Sequence, residues 1–189
     1  MIPIRFLFYI AAIDGKLGDN VISTVTGLFP RNWGTKGYSH EELWLPNKYG
    51  QFSNNIMGRG YYINEFVGTC FSAASRGEKT GVRFAPASQI LKHRERWDFA
   101  QFYVDPERYM YAVGEMKKEE NAPYDFNELL KFVFPFLKDD PKKWICSPVC
   151  MWAGMKMGLP IHEYVNVDPR YASKIIKSIG GKIISLRGA

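Results

Sequence analysis

Cysteine and histidine are both scarce here, three of each in 189 residues. Three cysteines do not make a disulfide framework, and the odd count fits free thiols in a reducing compartment, so a cytoplasmic location is expected. Long hydrophobic runs are missing too, and without one no segment spans a bilayer. The most apolar stretch, residues 4–12, is short and followed by Asp14. It reads as a buried strand rather than a signal peptide. Blocks of one charge are also lacking. The net charge is +6, yet Lys117-Lys118 run straight into Glu119-Glu120, and Lys142-Lys143 follow Asp139-Asp140. A nucleic-acid face would carry a denser basic stripe, so no stable nucleic-acid partner is expected and the charge serves solubility. Repeats, low-complexity segments and interdomain linkers are absent, which leaves one domain over residues 1–189.

What the chain does have is material for a core, with 46% hydrophobic and 15% aromatic residues. Strands are predicted over residues 4–12, 38–45, 66–74, 81–85 and 97–104. In the last, Trp97, Phe99, Gln101 and Tyr103 alternate with Asp98, Ala100, Phe102 and Val104. Residues 46–65, with Gly50, Gly58, Gly60 and Asn54-Asn55, read as a long loop or a loose hairpin. A short helix is predicted after Asp19-Asn20, stopped by Pro30. The period then changes. Helices are expected from Pro106, from an Asp125 cap over 126–134, over Cys146–Met157 and over Pro169–Ile179, with a final strand over 182–186. Strands first and helices second describe an α+β fold, with an antiparallel sheet packed against helices.

Two segments carry the chemistry. Tyr38-Ser39-His40-Glu41-Glu42-Leu43 opens a strand with a histidine. Trp144-Ile145-Cys146-Ser147-Pro148 opens a helix with a cysteine. Pro148 suits a first helical turn, so Cys146 stands where the helix dipole favours a thiolate. Cys70 and Cys150 fall at apolar positions and read as core, the ordinary place for an unpaired cysteine. His93 lies in a charged, solvated run and His162 in a loop. Only His40 stands at an element boundary. A cysteine nucleophile needs a base, and the base needs an orienting acceptor. Glu42 shares a strand face with His40 and is the first candidate for that acceptor, with Ser72 the alternative. Glu41 and Glu42 also read as solvated charges on an edge strand.

These residues resemble the NlpC-type papain-like cysteine peptidase superfamily in its circularly permuted branch, which includes YiiX-like proteins and the lecithin:retinol acyltransferase group. The likeness rests on Asp19–Thr26, Tyr38–Leu43, Phe71–Ser75 with Gly81–Phe84, and Tyr124–Phe126 leading to Trp144–Ser147. It covers roughly residues 19–160, with a helix and strand as a C-terminal extension. In that branch the histidine precedes the cysteine, as here. Members often carry an acid shortly after the Cys-Ser pair, where this chain has Pro148. The Ser-His-x-Glu-Leu strand is similar to compact members found in bacteriophages, which would place the protein in a host cytoplasm or a virion.

The resemblance implies Cys146 as nucleophile, His40 as base and Glu42 as the third residue. The implied reaction is hydrolysis of an amide or ester in a peptide, cell-wall or lipid substrate through an acyl-enzyme thioester, with no cofactor. Two other classes stay open at this point. One is a structural or binding protein on the same fold with a degenerate site. The other is a metal site built from Cys146, Cys150 and His162, which lacks an evident fourth ligand.

Overall fold

The computed structural model describes residues 1–11, 33–34, 36–47, 51–58, 61–75, 80–127 and 142–186. The helix expected after Asp19-Asn20 and most of the one expected over 126–134 lie outside these residues. The described elements in chain order are β1 (Ile2–Ile10), β2 (Tyr38–Leu45), β3 (Ser53–Gly58), β4 (Tyr61–Phe66), β5 (Thr69–Ala74), β6 (Gly81–Pro86), α1 (Ala87–Ile90), a 3-10 turn (Leu91–Arg96), β7 (Trp97–Val104), α2 (Pro106–Glu119), α3 (Cys146–Lys156), α4 (Pro169–Ser178) and β8 (Ile184–Ser185). Six strands form one sheet in the order β6-β5-β2-β1-β7-β8, and β3 and β4 form a separate hairpin. Every neighbouring pair in both sheets is antiparallel. The architecture is α+β.

Strand alternation assigns the two faces of the sheet. Ile4, Phe6 and Phe8 of β1, with Leu43 and Leu45 of β2, meet Ala112 and Met116 of α2, Val149 and Ala153 of α3, and Ala172 and Ile176 of α4. Leu7, Trp44, Cys70, Trp97 and Phe99 cover the opposite face, under Ala87, Leu91 and Leu186. Each large side chain taken fully out of water here contributes about 1.5–3 kcal/mol. α3 lies close on the sheet because residue 154 is glycine. A Cβ there would sit 2.6 Å from the Phe6 ring and 2.9 Å from Ile161.

Of the two readings of residues 46–65, the hairpin is the one that forms, Ser53 opposite Phe66 and Gly58 opposite Tyr61. Two other sequence expectations change. The expected strand over 66–74 is broken at Gly68, whose φ of +96° and close approach to the Leu45 carbonyl exclude a side chain. β2 lies between β1 and β5 in the sheet order, although among the described residues only β1 pairs with it at His40–Glu42. Glu41 and Glu42 are both buried.

The helix caps follow the sequence. Asp105 accepts from the N–H groups of Glu107 and Arg108 at the start of α2. Asp168 does the same for Arg170 and Tyr171 at the start of α4. Asp125 accepts from Asn127 N–H at 2.9 Å. The α3 start differs. Its cap residue is Ile145, no side chain caps it and its first turn carries no acid.

Candidate active site

The position of Cys146 follows from a splay in the sheet. β2 pairs with β5 only through Leu43–Phe71, Trp44–Cys70 and Leu45–Thr69. Beyond Leu43 the β5-facing polar groups of β2 need other partners. The Glu41 carbonyl accepts from Ser72 Oγ at 2.7 Å and from Cys150 Sγ at 3.7 Å. The Glu41 N–H donates to Cys146. The N-terminus of α3 thus takes the place a longer β5 pairing would occupy. The approach to α3 is fixed by a backbone bridge, in which Asp125 N–H donates to the Trp144 carbonyl and Trp144 N–H to the Pro123 carbonyl. Cys146 is the first residue of α3 and is 6% exposed.

His40 approaches this thiol from β2, close enough that each group shifts the protonation of the other. Its Nε2 lies 2.9 Å from Glu42 Oε1. Burial favours the protonated Glu42 acid, but His40 and Arg83 together overcome it, so the carboxyl stays below its ordinary range. An ionised carboxylate only accepts, so Nε2 donates to it and Nδ1 remains for Cys146. The ring is also 6.4 Å from Trp97, edge to face. Two residues earlier, Tyr38 Oη and Lys36 Nζ both donate to Asp98 Oδ2 at 2.7 and 2.6 Å, which ties the start of β2 to β7.

The electrostatics separate the proton of Cys146 from its sulfur. Burial alone would raise the thiol pKa, yet the His40 charge, its hydrogen bond, the Glu41 N–H and the Ser147 hydroxyl together bring it below the usual value. Burial alone would likewise lower the imidazole. The Cys146 thiolate, with Glu42 behind, instead raises His40 to about 10. The two shifts run in opposite directions and favour a thiolate–imidazolium pair that titrates as one unit. Cys70 and Cys150 show the contrast. Burial pushes both thiols well above the ordinary range, and no histidine offsets it.

The helix terminus adds hydrogen-bond donors. Cys146 and Ser147 carry backbone N–H groups where an α-helix supplies no internal acceptor, and Pro148 carries none. A carbonyl attacked by the sulfur would place its developing negative charge at this positive end of α3.

Of the two candidates for orienting His40, Glu42 is in contact and Ser72 is not. Ser72 is bonded to the Glu41 carbonyl. The alternative metal set, Cys146, Cys150 and His162, is not brought together. Among the described residues no group of three or more His, Cys, Asp or Glu side chains is placed to hold an ion. His93 is exposed beside Glu95, as its charged surroundings suggest.

Two residues at this site escaped the sequence reading. Arg83 on β6 holds Glu42 in a fork, NH2 to Oε1 at 2.7 Å and NH1 to Oε2 at 3.3 Å. Glu41 points to the face opposite His40 and Glu42, toward α3 and α4. It is fully buried, and among the described residues no group hydrogen-bonds to either carboxyl oxygen. Burial first, then the Cys146 thiolate and Asp168, raise its pKa well above the carboxylate range. Ser147 and His40 offset only part of this.

Comparison with protein-family models, curated proteins and solved structures finds no match to this chain. Among the described residues no helix is long and apolar enough to cross a membrane.

Proposed function

We propose that the protein is a cysteine hydrolase of the permuted NlpC-type papain-like class, acting on an amide or ester through a thioester intermediate. The observation that carries this reading is the chain of contacts from Cys146 through His40 to Glu42. The start of α3 beside an interior strand, and the histidine preceding the cysteine in sequence, support the fold assignment.

In this reaction the Cys146 thiolate attacks the substrate carbonyl carbon. The oxyanion is held at the α3 N-terminus. The carbon–nitrogen or carbon–oxygen bond breaks as His40 passes its proton to the leaving amine or alcohol. The neutral imidazole then takes a proton from water, and the hydroxide oxygen attacks the thioester. Collapse breaks the carbon–sulfur bond, expels the thiolate beside the imidazolium already formed, and releases the acid. Glu42 holds the ring with Nδ1 toward sulfur through both halves. The substrate class is a peptide, a cell-wall stem peptide or a lipid ester.

The test is a panel of activated acyl esters and peptide amides followed by intact-mass analysis. An acyl adduct that maps to Cys146 and decays as acid appears is the expected result. Hydrolysis by a Cys146→Ala protein at the wild-type rate would sink the reading.

A further inference from the structure

The register of three strands brings a cation to the back of the proposed dyad. Ser72 of β5 pairs with Arg83 of β6, and the β2–β5 ladder ends at Leu43–Phe71, one residue short of Glu42 and Ser72. Arg83 therefore reaches Glu42 across an intervening strand. It does so because the residue between them is a serine, fully buried and turned to the Glu41 carbonyl. The guanidinium side chain is 15% exposed and the carboxylate 1% exposed. Such a buried forked pair fixes the plane of the carboxylate as well as its charge.

We propose that Arg83 is a positioning residue for the reaction, acting through Glu42 to keep His40 aimed at Cys146 and to balance the charge of the site. This rests on the reading of Cys146 and His40 as a nucleophile and its base. Arg83, Glu42, His40 and Cys146 form a row of alternating charges that sums to zero. Without Arg83 the same buried row carries one net negative charge, and an uncompensated buried charge is strongly disfavoured. A proton then stays on Glu42 or Cys146 to higher pH. Among the described residues, the other titratable groups facing this row do not replace the lost cation. Cys70 of β5 and Cys150 of α3 lie near the guanidinium with raised thiol values, and Glu41 adds a further acid on the opposite face.

The experiment is the pH dependence of Cys146 alkylation by iodoacetamide, read by peptide mass, in wild type, Arg83→Met and Arg83→Lys. The Arg83→Met limb is expected to move toward alkaline pH by about one unit. Arg83→Lys keeps the charge but loses the fork. Its limb should move less, with a plateau rate several-fold lower. A folded Arg83→Met protein whose limb coincides with wild type overturns the proposal. Should Arg83→Met fail to fold, an Arg83→Lys profile identical to wild type in both limb and plateau overturns it. A wild-type protein with no depressed limb would instead remove the dyad reading itself, so the two failures are distinct. A purely structural arginine would change melting temperature without moving the limb.

Discussion

His40→Ala is expected to lower the alkylation rate of Cys146 at neutral pH on the order of 10²-fold, since each unit of thiol pKa is a factor of ten in thiolate. The reason lies in the opposing influences on the sulfur. Burial raises the thiol pKa and is the largest single influence. The imidazolium charge and its hydrogen bond come next and act the other way. Without His40, only the Glu41 N–H and the Ser147 hydroxyl oppose burial. Cys146 should then behave like Cys150, one turn along the same helix and protonated. Circular dichroism of the variant would establish that the fold persists, since Arg83 still holds Glu42. A rate within a few-fold of wild type would mean that the helix terminus alone activates the thiol.

The second large effect is on stability, and its sign is opposite to what removal of a native side chain usually gives. Glu41→Gln is expected to stabilise the protein at neutral pH. In the unfolded chain this carboxyl ionises near its ordinary value of 4.5. In the folded protein it keeps its proton well above that value. Between the two, only the unfolded state gains from ionisation, so wild-type stability falls as pH rises through this window. Glutamine has no proton to lose. The gain should be absent near pH 4 and grow by about 1.4 kcal/mol per pH unit above 4.5, until the folded-state carboxyl itself titrates. Denaturant midpoints across this range measure it. A Glu41→Gln protein less stable than wild type at pH 7, with no such slope, would mean the native carboxyl is ionised and partnered. A destabilising acid held 0% exposed beside a candidate nucleophile fits the general pattern in which functional sites keep local costs that a scaffold would lose.

The sequence made some of this site legible and hid the rest for physical reasons. Cys146 and His40 were readable because one begins a helix and the other lies in the first residues of a strand. Pro148 marks a first turn, and the period-2 pattern starts at Tyr38. Glu42 was readable because two residues along a strand means the same face. Arg83 was not, since its contact spans 41 residues and depends on the register of β2, β5 and β6. Ser72 drew notice as a hydrogen-bonding residue, whereas its small size is what lets Arg83 pass. Glu41 misled because two adjacent glutamates on a strand ordinarily face water. Here β2 is interior and one glutamate lies under the helices.

The fold shows the same division. The α+β layout follows from the change of period near Pro106, and β2, β7 and α3 begin where the sequence places them. The β3–β4 hairpin is only one of two readings the sequence supports, because Asn54-Asn55 and the neighbouring glycines are loop residues by propensity. A main-chain ladder formed there without the alternation that marks a half-buried strand.

The central claim is that Cys146, alone of the three thiols, is shifted toward the thiolate, because His40 is its counter-ion. The pH dependence of iodoacetamide labelling at each cysteine in the native wild-type protein tests this most directly. The predicted result is a Cys146 limb below the ordinary thiol value of 9.0, with Cys70 and Cys150 unlabelled over the same range. A Cys146 that stays protonated alongside the other two up to that value would contradict it.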